Sequence, residues 1–447
     1  MLPMGAEFSY DFLSDAEVVV IAAGFFFMMI AATIFWEIAI VGALLMSLGE
    51  THLGFDFGFV AMGYTVSPFD LLSAALVSAA CFRFLIAGGM SRVQLLWMVI
   101  LGYGFLRFLG GVADFGLPTA VSFYRQSFYV ASALFYSLTI DWTPERLERL
   151  VKIWLVVGLT LACMTIVEWL FPNVIPRPTT SNAMSLYAFD QGRVVPAASA
   201  LIMAQAGIIG LVVWSEARSS VLMRVLCIFL LAISFGLFHR SVWMAAAAGI
   251  AVLLAFSRES LVRVVPFIML GVAGAAVLWM FQQGLGGDFL TRAVQSAVQE
   301  PFAADSSIAW RVTGWELLLE RAFSSGVETV IFGAGYGAGY ERQIGWSTVL
   351  YSPHNFYIAT LLDTGLIGVG LWVYGFARIT LGLLGALPPG FVILRPGLMA
   401  LFATIVVYDI PYNHLTEQGL WLGALASTGG ALLVRRNAAV ARLVARP

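Results

Sequence analysis

Apolar runs of about 20 residues recur along the chain, separated by short polar breaks. That is the length a helix needs to cross the hydrocarbon core of a bilayer. The runs predict helices near 18–48, 68–88, 93–113, 118–140, 150–171, 195–214, 221–239, 240–256, 263–283, 355–376, 396–412 and 416–434. The first run is long and interrupted by Glu37, so it reads either as one tilted helix or as two short ones. Almost nothing separates 221–239 from 240–256, which puts His239 and Arg240 at a tight turn. Thr143 and Pro144 match an N-cap and first helical position, opening the run that follows.

Composition agrees with this pattern. Hydrophobic residues make up 60% of the chain and charged ones 11%, with a mean hydropathy of +0.89. An ordinary soluble domain carries about 25% charge. The expected fold class is therefore all-α: a polytopic membrane helix bundle of about twelve spans. A net charge of −2 and the absence of a basic stripe argue against a nucleic-acid partner. Cys81, Cys163 and Cys227 all lie in apolar runs without metal-ligand spacing, so disulfide and zinc readings fail. The N-terminus lacks the features of a signal peptide, and the first run is expected to be a retained span.

Basic residues orient the bundle. Arg92, Arg146, Arg149, Lys152, Arg218, Arg224, Arg258, Arg263, Arg378, Arg395, Arg435, Arg436, Arg442 and Arg446 fall on one side, which the positive-inside rule makes cytoplasmic. Both termini are expected there. The outer side receives the loop before Pro68, residues 172–194, the turn at 239–240 and the long loop 284–354. Three parts follow: an N-terminal bundle over 1–283, a large outer loop over 284–354, and C-terminal helices with a tail over 355–447. Within the loop, Trp310, Gly314, Leu317, Leu318 and Phe323 lie at helical spacing. No internal repeat of the transporter kind is visible in the sequence.

This topology brings Arg240, Arg311 and His354 to the outer face. Arginine offers a planar fork of donors matched to phosphate oxygens. Histidine titrates near neutrality and can take a proton from a sugar hydroxyl. The bland readings stand beside this one: Arg240 snorkelling to headgroups, His354 at an interfacial helix cap, Arg311 paired with Glu316 or Asp305. The glycine run 333–339 follows no strand of a βαβ unit, so it reads as a tight, flexible turn rather than a nucleotide loop. Glu37, Arg83, Arg107, Arg125 and Glu168 interrupt apolar runs, which fits function or internal pairing equally. Asp409 and His414 flank Pro411 and are candidates to line the same cavity; His52 lacks a discriminating context. No Gly-x-Ser-x-Gly elbow is present.

At these residues the chain resembles the O-antigen ligase and O-antigen (exopolysaccharide) polymerase superfamily of bacterial membrane glycosyltransferases. The resemblance rests on His354-Asn355-Phe356-Tyr357, on Asp363-Thr364-Gly365-Leu366-Ile367-Gly368, on Arg240 opening a helix in Phe238-His239-Arg240-Ser241-Val242-Trp243, and on Trp310-Arg311 ahead of Gly333-Ala334-Gly335-Tyr336-Gly337. It covers roughly residues 234–370. Asp363 stands where the family more often has glutamate, and His239 where it has a small residue. The stretch up to Arg193 corresponds only loosely.

The resemblance implies a GT-C-like enzyme of the bacterial inner membrane with its active site facing the periplasm. No nucleotide sugar, cofactor or metal is implied. The donor would be a glycan on undecaprenyl diphosphate, and the acceptor another glycan or lipid A–core, making the protein a polymerase or a ligase, with a small lean to the polymerase. His354 would be the general base, with Arg240 and Arg311 on the diphosphate. Asn355, Tyr336 and Arg193 are candidate substrate contacts. The alternative of another class is a lipid-linked oligosaccharide transporter, against which the missing repeat and the large loop both count.

Overall fold

In the computed structural model, the first apolar run forms two helices, α1 (Asp15–Ile34) and α2 (Trp36–Leu53), broken at Phe35. A helix that stops leaves its last carbonyls without intrahelical partners. Arg83 answers part of that need by donating to the carbonyls of Ala32 (2.7 Å) and Thr33 (3.0 Å). One of the arginines that interrupt apolar runs is thus a helix cap supplied from a neighbour. The structure describes residues 15–53, 59–61, 64–87, 90–171, 194–214, 221–237, 239–257, 307–350, 352–385, 387 and 389–428.

The described helices continue with α3 (Pro68–Ala87), α4 (Arg92–Phe115), α5 (Leu117–Leu138), α6 (Pro144–Leu170), α7 (Ala197–Val213), α8 (Val221–Gly236) and α9 (Arg240–Phe256). After the long loop's α10 (Ser307–Ser324) and α11 (Val327–Phe332) come α12 (Phe356–Leu384), the short α13 (Pro389–Val392) and α14 (Arg395–Tyr408). A last helix, α15, covers 416–428. Every predicted span within the described residues is helical; the span at 263–283, the candidate Arg193 and the arginine-rich tail lie outside them. Four described helices (α3, α4, α6 and α12) are long and apolar enough to cross a membrane on length and composition. Two short antiparallel hairpins depart from a purely helical reading: β1 (Phe59–Ala61) with β2 (Tyr64–Val66), and β3 (Arg342–Ile344) with β4 (Ser347–Val349).

Helix starts follow the sequence. Thr143 accepts from the Arg146 amide as N-cap of α6, with Pro144 behind it, and Ser91 forms a capping box with Gln94 on α4. The bundle centres on α7, buried on every side from Ala197 to Val212 apart from partly covered Ala198. A helix apolar all round belongs in such a place. At the bundle's outer surface Phe27, Leu85 and Ile86 stay largely exposed, as a lipid-facing surface requires.

The register of these helices positions the site. Gln205 of α7 donates to Thr404 of α14 (3.0 Å), and Val212 packs on Gly397, so the two run antiparallel. The start of α7 therefore lies at the end of α14. His239, N-cap of α9, bonds through Nε2 to the Val195 carbonyl just ahead of α7 (2.8 Å). Arg240 thus sits at the same end of the bundle as the turn 409–415.

Other intramembrane charges are absorbed structurally. Arg125 pairs with Asp70 at 3.1 Å and Arg149 with Glu37 at 3.2 Å, both partly exposed. Arg107 donates to the Gly333 carbonyl at 2.9 Å.

Candidate functional site

The site is built around a break in α12. Asn355 caps the helix by accepting from the Ile358 amide (3.0 Å), and the Phe356 amide donates to the carbonyls of Asp409 and Tyr412. Two turns later the helix opens at Gly365, whose φ of 68° and ψ of −170° are non-helical. Glycine adopts that region without steric cost. The carbonyls freed by the break are taken from outside: Ala334 donates to Leu362 (2.7 Å), Gly335 to Asp363 (3.2 Å) and the Tyr103 hydroxyl to Thr364 (3.0 Å).

The glycine run is the strap that makes these bonds. Gly333, Gly335, Gly337 and Gly339 all have positive φ, and a Cβ on Gly333 would meet the Asp363 backbone at 2.5 Å. It turns tightly, as its letters suggest. It is not the flexible turn they also suggest, because its amides and glycine faces are pinned to α12 and to Arg107 of α4. The strap ends at Tyr340, whose hydroxyl donates to buried Asp363 at 2.6 Å. Burial, then the Asp363 charge, pushes this phenol well above its ordinary range.

This scaffold presents His354 at the foot of the loop. His354 carries a φ of 49°, the single non-glycine residue with positive φ among the described residues. Such conformations are uncommon and collect where surrounding structure fixes them for a purpose. Trp315 of α10 holds the preceding residue by donating to the Pro353 carbonyl (2.7 Å). The imidazole meets the Tyr412 ring edge-on at 6.2 Å, and the Arg311 guanidinium lies over the same ring at 5.1 Å. Arg311 also donates to the Pro411 carbonyl (3.2 Å), and among the described residues it pairs with no acidic residue of the loop. Buried Arg342 of β3 lies over the Trp310 ring at 5.9 Å, and its charge acts on the imidazole. Burial first, then the charges of Arg311 and Arg342, lowers the His354 pKa to about 4. The imidazole is therefore a neutral base at physiological pH, next to two guanidiniums.

The structure thus brings Arg311 and His354 together and sets Arg240 at the same end of the bundle. Asn355 has its Oδ1 committed to capping α12. Tyr336 is buried beneath the strap, edge-on to Tyr124 at 4.8 Å, with burial raising its phenol. Arg193 lies outside the described residues. Trp310, Gly314 and Leu318 face inward on α10, whereas Phe323 is turned out. Sequence reasoning gave no role to Arg342 or Tyr412; neither sits in a motif, and only the fold brings them to His354. Asp409 and His414 do meet: His414 Nδ1 lies 2.7 Å from Asp409 Oδ1, both buried.

The site is a histidine of positive φ held beside arginines where a long loop meets an apolar helix bundle. Residues 225–373, about a third of the chain, match the family described as O-antigen ligase. That segment contains Arg240, Arg311, the glycine strap and His354. No curated protein matches the chain.

Proposed function

We propose that the protein transfers a glycan from an undecaprenyl-diphosphate carrier to a hydroxyl of an acceptor glycan, at the outer face of the bacterial inner membrane. The observation that carries this reading is the grouping of neutral His354 with Arg311 on the Tyr412 ring, with the Arg342 charge also acting on the imidazole. In the reaction, the acceptor oxygen attacks the anomeric carbon while its proton passes to His354. The bond from that carbon to the diphosphate breaks, and the diphosphate leaves with the electron pair. Arg311 and Arg240 stabilise the charge that develops, an effect worth about 3–4 kcal/mol per well-placed donor. A single displacement of this kind inverts the anomeric centre.

Arg342 adds to the cationic field and keeps the imidazole unprotonated until a diphosphate arrives. The anion offsets that field and raises the imidazole's basicity when a base is needed. His354 at the foot of a loop rather than within a span gives it access to acceptors from the aqueous side.

The reading of a polymerase, which joins repeat units, is favoured slightly over that of a ligase, which caps lipid A–core. Tyr124, Arg125 and Tyr129 on an aromatic-rich helix support that lean. Reconstitution in lipid nanodiscs with an undecaprenyl-diphosphate oligosaccharide, with and without lipid A–core, separates them. A ladder of lengthening lipid-linked glycan without core indicates a polymerase, and core capping without a ladder a ligase. Movement of the donor across the bilayer with no new glycosidic bond would instead establish the transporter.

A further inference from the structure

A cavity of about 280 Å³ opens between α4, α5 and α12, next to the cationic group but chemically unlike it. Among the described residues, no arginine or lysine lines it. Its polar lining consists mainly of hydroxyls and amides, among them Ser122, Gln126, Ser127 and Thr360. Its apolar lining includes the rings of Tyr124 and Trp372. Such a site has no counter-charge for a phosphate. Flat rings beside dispersed donors and acceptors match a neutral sugar, which has apolar C–H faces and a rim of hydroxyls.

Two buried polar atoms of lining residues sharpen this. His414 is 97% buried by its 3% exposure, and its Nε2 has no hydrogen-bond partner. Its other nitrogen faces Asp409, and its ring is clamped by Phe356 in a stack at 3.9 Å and by Trp372 edge-on at 5.2 Å. Gln126 further holds the segment by donating to the His414 carbonyl (3.3 Å). Asn413 commits its Nδ2 to the Ser352 hydroxyl (2.6 Å), while its Oδ1 is left unpartnered. Buried polar atoms are normally satisfied, and those left over call for an explanation. A rigidly held imidazole nitrogen and an amide oxygen, one residue apart, form a donor–acceptor pair suited to a sugar hydroxyl.

We propose that this cavity is a binding subsite for a neutral pyranose ring of the glycan, with His414 and Asn413 bonding its hydroxyls and Tyr124 and Trp372 covering its faces. The proposal rests on the glycosyl-transfer reading and deepens it: the diphosphate occupies the arginine side, and sugar occupies the side lined by hydroxyls, amides, rings and the Asp363 carboxyl. Phe356 and Ser352, which line the cavity, flank His354 in sequence, so a ring held here lies next to the proposed base.

The test is direct binding. Purified protein in nanodiscs is titrated with neutral methyl pyranosides of gluco, galacto, manno, rhamno and N-acetylglucosamine type, read by saturation-transfer NMR. A Cβ on Gly104 meets nothing within 4 Å, so Gly104→Phe obstructs the cavity with little clash. Ala131→Leu obstructs another wall and keeps the test intact if the first variant fails to insert. Saturation of at least one pyranoside, reduced at least five-fold by either obstruction, is expected. Saturation of none, or equal saturation in correctly inserted obstructed protein, overturns the subsite. The readout needs no turnover, so sugar binding without transferase activity would sink the glycosyl-transfer reading alone.

Discussion

Tyr340 donates its hydroxyl to Asp363 at 2.6 Å, a fully buried bond that fastens the end of the glycine strap to the broken turn of α12. Everything proposed for His354 depends on that fastening, because the strap and the histidine approach the bundle on the same loop. A buried carboxyl that loses its donor bears a desolvation cost of about 1–3 kcal/mol. Tyr340→Phe, which keeps the ring against Phe123 and Leu318, is expected to lower the thermal unfolding midpoint in detergent by several degrees. An unchanged midpoint would show that the bond holds nothing.

The strap's backbone makes a sharper prediction. Gly333→Ala places a methyl group against the Asp363 carbonyl at a φ of 82°, where both sterics and backbone conformation oppose it. Gly345 has a φ of 58° but open space around it. Gly345→Ala therefore meets only the backbone penalty, about 1 kcal/mol. Gly333→Ala should cost clearly more and reduce correctly inserted protein, measured by yield of monodisperse material and by melting. Equal effects at the two positions would refute the close docking of strap on helix.

The His354 imidazole gives a pH prediction with a definite sign. Its folded pKa is about 4 against an ordinary value of 6.5. As pH falls through 6.5 an unfolded chain takes up the proton and the folded one does not. The stability this confers is present above 6.5 and is lost between 6.5 and about 4. Isotope-labelled histidine NMR should show the His354 signal unprotonated down to pH 5. Arg342→Gln should raise its titration midpoint, and so should inorganic diphosphate bound beside Arg311. Titration near 6.5 in the unliganded wild type would remove the electrostatic part of the account.

How far the sequence carries the fold can be argued from single residues. Spans were legible because a bilayer demands about 20 apolar residues per crossing, and the caps at Ser91 and Thr143 follow from local chemistry alone. Glu37 signalled an interrupted first run, but the break at Phe35 depends on Arg83, a residue of another helix. Arg311 and His354 were legible from residue type, order and topology. Tyr412 lies about a hundred residues beyond Arg311, and its place between the two comes from α10 folding onto the turn after α14. Asp363 was visible as a letter in a pattern; that Gly365 opens the helix beside it emerges only from the backbone. Arg342 carried no signal, since an arginine in a long polar loop looks like any solvated charge.

The most direct test of the central claim is transfer by a His354→Ala protein, compared with wild type in the same nanodiscs and with the same undecaprenyl-diphosphate oligosaccharide. Removing a general base is expected to slow glycosidic bond formation by about 10²–10⁴-fold, with insertion and melting preserved and donor binding retained through Arg240 and Arg311. The product formed by wild type should have the inverted anomeric configuration. Full activity in the variant, or a retained configuration in the wild-type product, would contradict the account.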